Sequence, residues 1–114
     1  MSQTLIERIK KARQTSVQVG KFTLICRRPT DLEMLEMRTG KVTQSEILTR
    51  FVDGWDGFKE IDLVPGGTDI AVAFTPELFA EWVADHPDCW GAISDAVVQG
   101  YKLHEAALEA AAKN

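Results

Sequence analysis

The tightest constraint in the chain is the alternation across residues 15–27, TSVQVGKFTLICR. Around a two-residue turn at Gly20-Lys21, Val19 faces Phe22, Val17 faces Leu24, and Cys26 continues the row. These five side chains fall on one face, with Ser16, Gln18 and Thr23 on the other. Glycine suits the first turn position because it accepts positive φ. The turn and the alternation specify the same register, so a β-hairpin with one apolar face is expected. Two strands alone are not stable in water, so helices must cover that face.

Threonine caps mark where those helices start. Thr4 and Glu7 have capping-box spacing ahead of a narrow stripe, Leu5, Ile6 and Ile9. A helix this short is marginal alone and needs something to dock on. Pro29 stops the hairpin. Thr30 and Glu33 then open a short helix carrying Leu32, Met34, Leu35 and Met37, which Gly40 ends. Thr43 and Glu46 form a third box, with Val42 and Ile47 at staple positions. Ile47, Leu48, Phe51, Val52 and Trp55 predict that the helix runs on to residue 55 with a buried face. Asp53-Gly-Trp-Asp-Gly breaks it. Residues 54–73 read as an ordered connection dipping into the core, with a short strand near 70–73. Phe74-Thr75-Pro76-Glu77 is the clearest helix start: Thr75 caps, Pro76 fits the first turn, and Phe74 and Phe79 have staple spacing. Leu78, Phe79, Trp82 and Val83 form its buried face. Pro87 ends it and Asp88 is placed to cap a last helix over about 89–111, roughly 33 Å long. That helix carries a stripe of Trp90, Ile93, Val97, Tyr101, His104 and Leu108, and its final turns are nearly all alanine.

The 114 residues suit one domain, 1–114, with 45% apolar and 26% charged residues. Its expected parts are a short N-terminal helix in 1–14, a hairpin in 15–28, and a helical part in 29–112 holding the 54–73 loop. No apolar run reaches the ~18 residues of a membrane span, and the N-terminus lacks the features of a secretory signal. Cys26 and Cys89 are far apart in sequence, so reduced, cytoplasmic thiols are expected. Ten basic and seven acidic groups occupy residues 1–57, against three and ten in 58–114. The basic end invites a nucleic-acid reading. Its N-terminal segment lacks interleaved exposed aromatics, while Trp82 and Trp90 sit in the acidic half, so nucleic acid is the weaker partner.

The motifs of common chemistries are missing. His86 and Cys89 have HxxC spacing, but Pro87 between them makes a helix break, not half of a zinc site. Asp53, Asp56, Glu60 and Asp62 do not meet the calcium-loop spacing and read as turn formers. There is no GxSxG, and Pro65-Gly-Gly-Thr lacks the GK[ST] ending of a phosphate loop. No catalytic residue, metal or cofactor is expected. The aromatic side chains fit core packing, with room for one at an interface. Trp55, Trp82, Trp90, Tyr101 and Leu108 are the candidate partner-binding residues, since tryptophan and tyrosine often anchor interfaces.

Residues 47–112 resemble the tail assembly chaperones of long-tailed bacteriophages. Trp55 and Gly57 match that family's W-x-G, Phe74-Thr75-Pro76-Glu77 its helix start, and the Trp90–Tyr101–Glu109 helix its tail. Phe22-Thr-Leu-Ile-Cys-Arg-Arg-Pro-Thr-Asp-Leu-Glu resembles its strand followed by RPT-x-x-E. The resemblance implies a phage or prophage protein of the host cytoplasm that is not an enzyme. Such a protein binds the helical tape-measure protein, helps tail-tube subunits polymerise around it, and leaves before the virion is complete. It also implies self-association or a frameshift-extended form as further partners. Ala112-Lys113-Asn114 is compatible with a slippery A AAA AAC run. A small nucleic-acid-binding regulator and a head–tail joining protein are the alternatives.

The expected fold is α+β, mostly α: the hairpin packed against several helices, the last of them long. The expected core is Val17, Val19, Phe22, Leu24, Leu35, Ile47, Leu48, Phe51, Leu78, Phe79, Trp82, Ile93 and Val97. Phe51→Ala should cost about 3–5 kcal/mol in a denaturant melt. A loss well below that would remove Phe51 from the core.

Overall fold

The computed structural model describes residues 4–113; Met1, Ser2, Gln3 and Asn114 of the predicted segments lie outside them. The elements in chain order are α1 (Leu5–Ala12), β1 (Gln14–Val19), β2 (Phe22–Arg27), α2 (Asp31–Arg38), α3 (Gln44–Arg50), β3 (Val52–Asp56), α4 (Glu60–Leu63), α5 (Pro76–Ala84), a 3-10 turn (Pro87–Cys89) and α6 (Trp90–Ala112). The fold is α+β with helices dominant.

The hairpin forms in the register read from the sequence. Val19 pairs with Phe22, Val17 with Leu24 and Thr15 with Cys26. Gly20 has φ +60°, the left-handed turn position that glycine occupies without strain. Four threonine caps also form as read, the first with the Thr4 side chain accepting from the Glu7 N–H at 3.1 Å. Thr30 and Glu33 close a reciprocal capping box, as do Thr43 and Glu46, and the Thr75 side chain accepts from the Leu78 N–H. Gly40 follows α2 with φ +76°.

The predicted helix over 47–55 is corrected. α3 stops at Arg50, and Val52–Asp56 forms β3, antiparallel to β2. The sheet order is β1-β2-β3. Cys26 pairs with Val52, and Leu24 with Trp55. A bulge at Ile25/Cys26 inserts one extra residue into β3, so Val52 and Trp55, three apart, reach the same face. That three-residue spacing imitates a helix. The predicted strand near 70–73 reduces to one bridge, Lys59 with Ala71. Residues 60–63, read as loop, form the single turn α4. Asp88 is not a cap: Cys89 precedes α6 without a side-chain cap bond, because the 3-10 turn from Pro87 runs directly into the helix.

α6 lies against β1 and β2, and α3 touches both α5 and α6. Between them sits the core. Leu24, Leu48, Phe51, Phe79, Trp82, Ile93 and Val97 are buried as expected, and Val17, Val19, Phe22 and Ile47 are half-buried. Leu35 and Leu78 are exposed, against expectation. Leu78 lies off the face that Phe79, Trp82 and Val83 turn inward. α2 buries no residue and is held by polar contacts at its first turn.

The centre of the core is aromatic. The Phe58 ring stacks on Phe22 and on Trp55, each at 4.1 Å between centroids, and meets Trp82 edge-on at 4.9 Å. Phe58 was not among the expected core residues and is 1% exposed. Phe58→Ala should destabilise the fold by about 3–5 kcal/mol. Denaturant melts showing a cost nearer that of a surface substitution would place the stack outside the folding core.

Candidate functional site

Where α3, α5 and the start of α6 converge, their side chains leave an open groove of about 430 Å³. Leu48 of α3 and Val83 of α5, both buried, form its floor. Ala80 and Ala84, four apart on α5, keep the floor low because neither side chain reaches beyond Cβ. Gln44, Ser45 and Thr49 form a polar rim on the α3 side. Gln44 Nε2 donates to Ser94 Oγ at 3.3 Å, tying that rim to α6.

Trp90 makes the end wall. It is 36% exposed, and its indole N–H donates to the Val83 carbonyl at 2.7 Å. That bond adds to the one the Val83 carbonyl accepts from the His86 N–H at 3.2 Å, and it fixes the ring. The indole then turns only apolar surface to the groove.

The structure scatters the other candidate partner-binding residues. Trp55 is half-buried in the aromatic stack, and its Nε1 donates to Val72 O at 2.8 Å. Trp82 is buried beneath the same stack, with no hydrogen-bond partner for its Nε1 among the described residues. Tyr101 is buried, and its hydroxyl donates to Asp31 Oδ1 at 2.7 Å, joining α6 to α2. These three hold the fold together. Leu108 is exposed, far along α6 from Trp90. Of the five candidates, only Trp90 lines the groove. Ala80 and Ala84 were missed, although an alanine pair at i, i+4 on an otherwise bulky helix is a readable sign of a shallow floor.

A second cavity of about 340 Å³ is polar, lined by Lys10, Arg13, Arg27, Thr30, Glu33 and Asp53. Arg27 spans Glu33 in a bidentate pair at 2.7 and 3.0 Å and lies over the Phe51 ring. Burial alone would raise the Glu33 carboxyl. The hydrogen bonds from Arg27 and the Thr30 backbone outweigh it and lower the pKa to about 2. This pair clamps α2 to β2.

Both thiols are free and buried. Burial, reinforced by Asp53, raises Cys26 to about 11, and burial, then Asp88, raises Cys89. Both are therefore neutral near pH 7. His86 stacks on Trp82, and its Nδ1 lies 2.6 Å from the Trp82 carbonyl. Cys89 Sγ donates to the His86 carbonyl, not to its ring. Among the described residues, no three His, Cys, Asp or Glu side chains are grouped to hold a metal ion, and no helix is long and apolar enough to cross a membrane. Comparison with family models, curated proteins and solved structures gives no match to the chain.

The Arg27–Glu33 clamp has a pH signature. Because the folded pKa lies below the ordinary 4.5, the pair stabilises the fold above pH 4.5. That contribution is lost as pH falls from 4.5 towards about 2. Wild type should melt higher than Glu33→Gln at neutral pH, with the gap closing across that interval. A gap that stays constant to pH 2 would show that the clamp does not stabilise the fold through its charge.

Proposed function

We propose that the chain is a tail assembly chaperone of a long-tailed phage or prophage, working in the host cytoplasm. In this reading it binds the tape-measure protein through one amphipathic helix at a time and promotes tail-tube assembly around it. The reading rests on the resemblance of residues 47–112. The observation that carries it is the groove between α3, α5 and Trp90: apolar at its floor, polar at one rim and open to solvent.

A groove of about 430 Å³ falls in the range of side-chain-sized binding pockets. It accepts two or three apolar side chains spaced along one helix face, the helix-in-groove mode. An elongated helical client repeats such faces along its length, so many copies of a small binder can line it. The nucleic-acid alternative is weakened by the polar cavity, where Lys10 and Arg13 already share space with Glu33 and Asp53. A phosphate backbone approaching there meets carboxylates.

The test is an N-terminally tagged pull-down from cells assembling tails, beside the variant Ala84→Arg. Ala84 is exposed at the end of α5, where a cation complements the helix dipole, so the fold is retained while the groove is filled. Wild type should recover the tape-measure protein or the tube subunit, with recovery falling about tenfold in the variant. A larger tagged form would reveal a frameshift product. Nucleic acid alone, lost at moderate salt, would sink the proposal in favour of a regulator, and the chain in purified virions would favour a joining protein.

A further inference from the structure

Two arginines from different elements meet at the foot of the hairpin with no carboxylate between them. Arg13 caps the end of α1, and Arg28 follows β2. The Arg28 N–H donates to the Arg13 carbonyl at 3.0 Å, which extends the β1–β2 ladder by one step and sets the two residues side by side. Both are half-buried, and neither takes part in an ion pair of the described residues. Arg28 spends one guanidinium N–H on the Pro29 carbonyl at 3.0 Å, and the Arg13 guanidinium makes no hydrogen bond among the described residues. Like charges brought together and partly out of water repel, and an anion between them turns that repulsion into attraction.

Both arginines line one open cavity of about 440 Å³, with Thr15 from β1 and Gly100, Leu103 and His104 from α6. A Cβ on Gly100 would stand 3.2 Å from Arg28 Cβ, so the glycine makes room for Arg28 against the helix. No carboxylate lines this cavity. Glu33 and Asp53 line the other one that Arg13 reaches, where Arg27 holds Glu33 and Gln14 donates to Asp53. Asp31 is within electrostatic reach of Arg28, but it accepts from the Tyr101 hydroxyl at 2.7 Å and lies 3.5 Å from His104 Nε2.

We propose that this cavity binds a phosphomonoester, its phosphate held between the Arg13 and Arg28 guanidiniums and its organic body lying on Leu103. Two planar forks suit a group with more than one charge and three acceptor oxygens. A carboxylate is satisfied by one arginine alone, and each phosphate of a nucleic-acid strand carries a single charge. The cavity volume lies in the range of small-molecule sites, larger than a bare phosphate fills. Leu103 is 64% exposed and offers that remainder an apolar wall. The cavity shares no residue with the α3–α5 groove, so this proposal and the chaperone reading fail separately.

Isothermal titration calorimetry of the purified full chain with phenyl phosphate tests the proposal. A Kd below about 1 mM is expected at low salt, with benzoate at least about tenfold weaker. Arg13→Gln, which removes one fork, and Leu103→Glu, which places a carboxylate at the cavity wall, should each weaken phenyl phosphate at least about tenfold. Neither side chain holds the fold, so circular dichroism should be unchanged. Lys10→Gln should bind as wild type, because Lys10 lines only the other cavity. Absence of phenyl phosphate binding, wild-type affinity in both Arg13→Gln and Leu103→Glu, an equal loss in Lys10→Gln, or benzoate binding as tightly would overturn the proposal. So would single-stranded DNA that binds through Arg13 more tightly than phenyl phosphate.

Discussion

The structure depends on one ring. Phe58 is stacked on Phe22 on one side and Trp55 on the other, and so joins β2 and β3 to the segment that follows them. From there the aromatic contacts spread. Trp55 meets Phe74 edge-on, Phe74 touches Phe79, and Trp82 meets both Phe22 and Phe58. Pairs of this kind contribute about 0.5–1.5 kcal/mol each beyond the area they bury. The sheet, the 57–75 connection and α5 therefore form one unit. The backbone supports it: Val72 N–H donates to Phe58 O, Glu60 N–H to Ile70 O and Ile61 N–H to Thr68 O. Gly67 is required by this closure, since a Cβ there would come within 2.8 Å of the Glu60 backbone.

What the sequence made legible, and what it hid, follows from how local each signal is. The Thr30–Glu33 and Thr43–Glu46 boxes need only two residues and a spacing, so they could be read directly. The hairpin needed only a turn and an alternation. β3 could not be read this way, because a bulge replaces its period of two by the three-residue step from Val52 to Trp55. Phe58 was hidden for a different reason. It stands between Gly57 and Lys59 in a segment with no periodicity, and only the tertiary stack gives it a place. Of the groove, Trp90 and Leu48 were legible as an aromatic and a core residue. Their convergence with Ala80 and Ala84 depends on how α3 crosses α5, which no local pattern encodes.

The charge asymmetry of the chain is partly neutralised by the fold. Lys21 reaches Asp62 at 2.6 Å and Arg27 holds Glu33, so basic residues of the hairpin meet carboxylates of later segments. The first pair is largely exposed on its lysine side and contributes little. The second is half-buried, bidentate and lodged against Phe51, and it positions α2, which fully buries no residue of its own. Tyr101 and Asp31 add a second polar tie to the same helix turn. α2 is thus attached by hydrogen bonds where its neighbours are attached by packing. Its far end, with Leu35 in solvent, is joined to α3 by the longer Glu36–Arg50 pair at 3.9 Å.

Trp90 shows how the same residue type serves two ends. Trp55 and Trp82 belong to the stack, while Trp90 has its N–H satisfied internally and its ring face left at the surface. A wall of this kind offers an occupant shape and apolar area but no directed hydrogen bond. Recognition by such a groove tolerates many sequences that share an amphipathic pattern, because nothing in it rejects one apolar side chain for another by an unpaired polar group. It also limits affinity, since a small contact must still overcome the entropy of association. Broad, weak and reversible contact would suit the repetitive helical client proposed above.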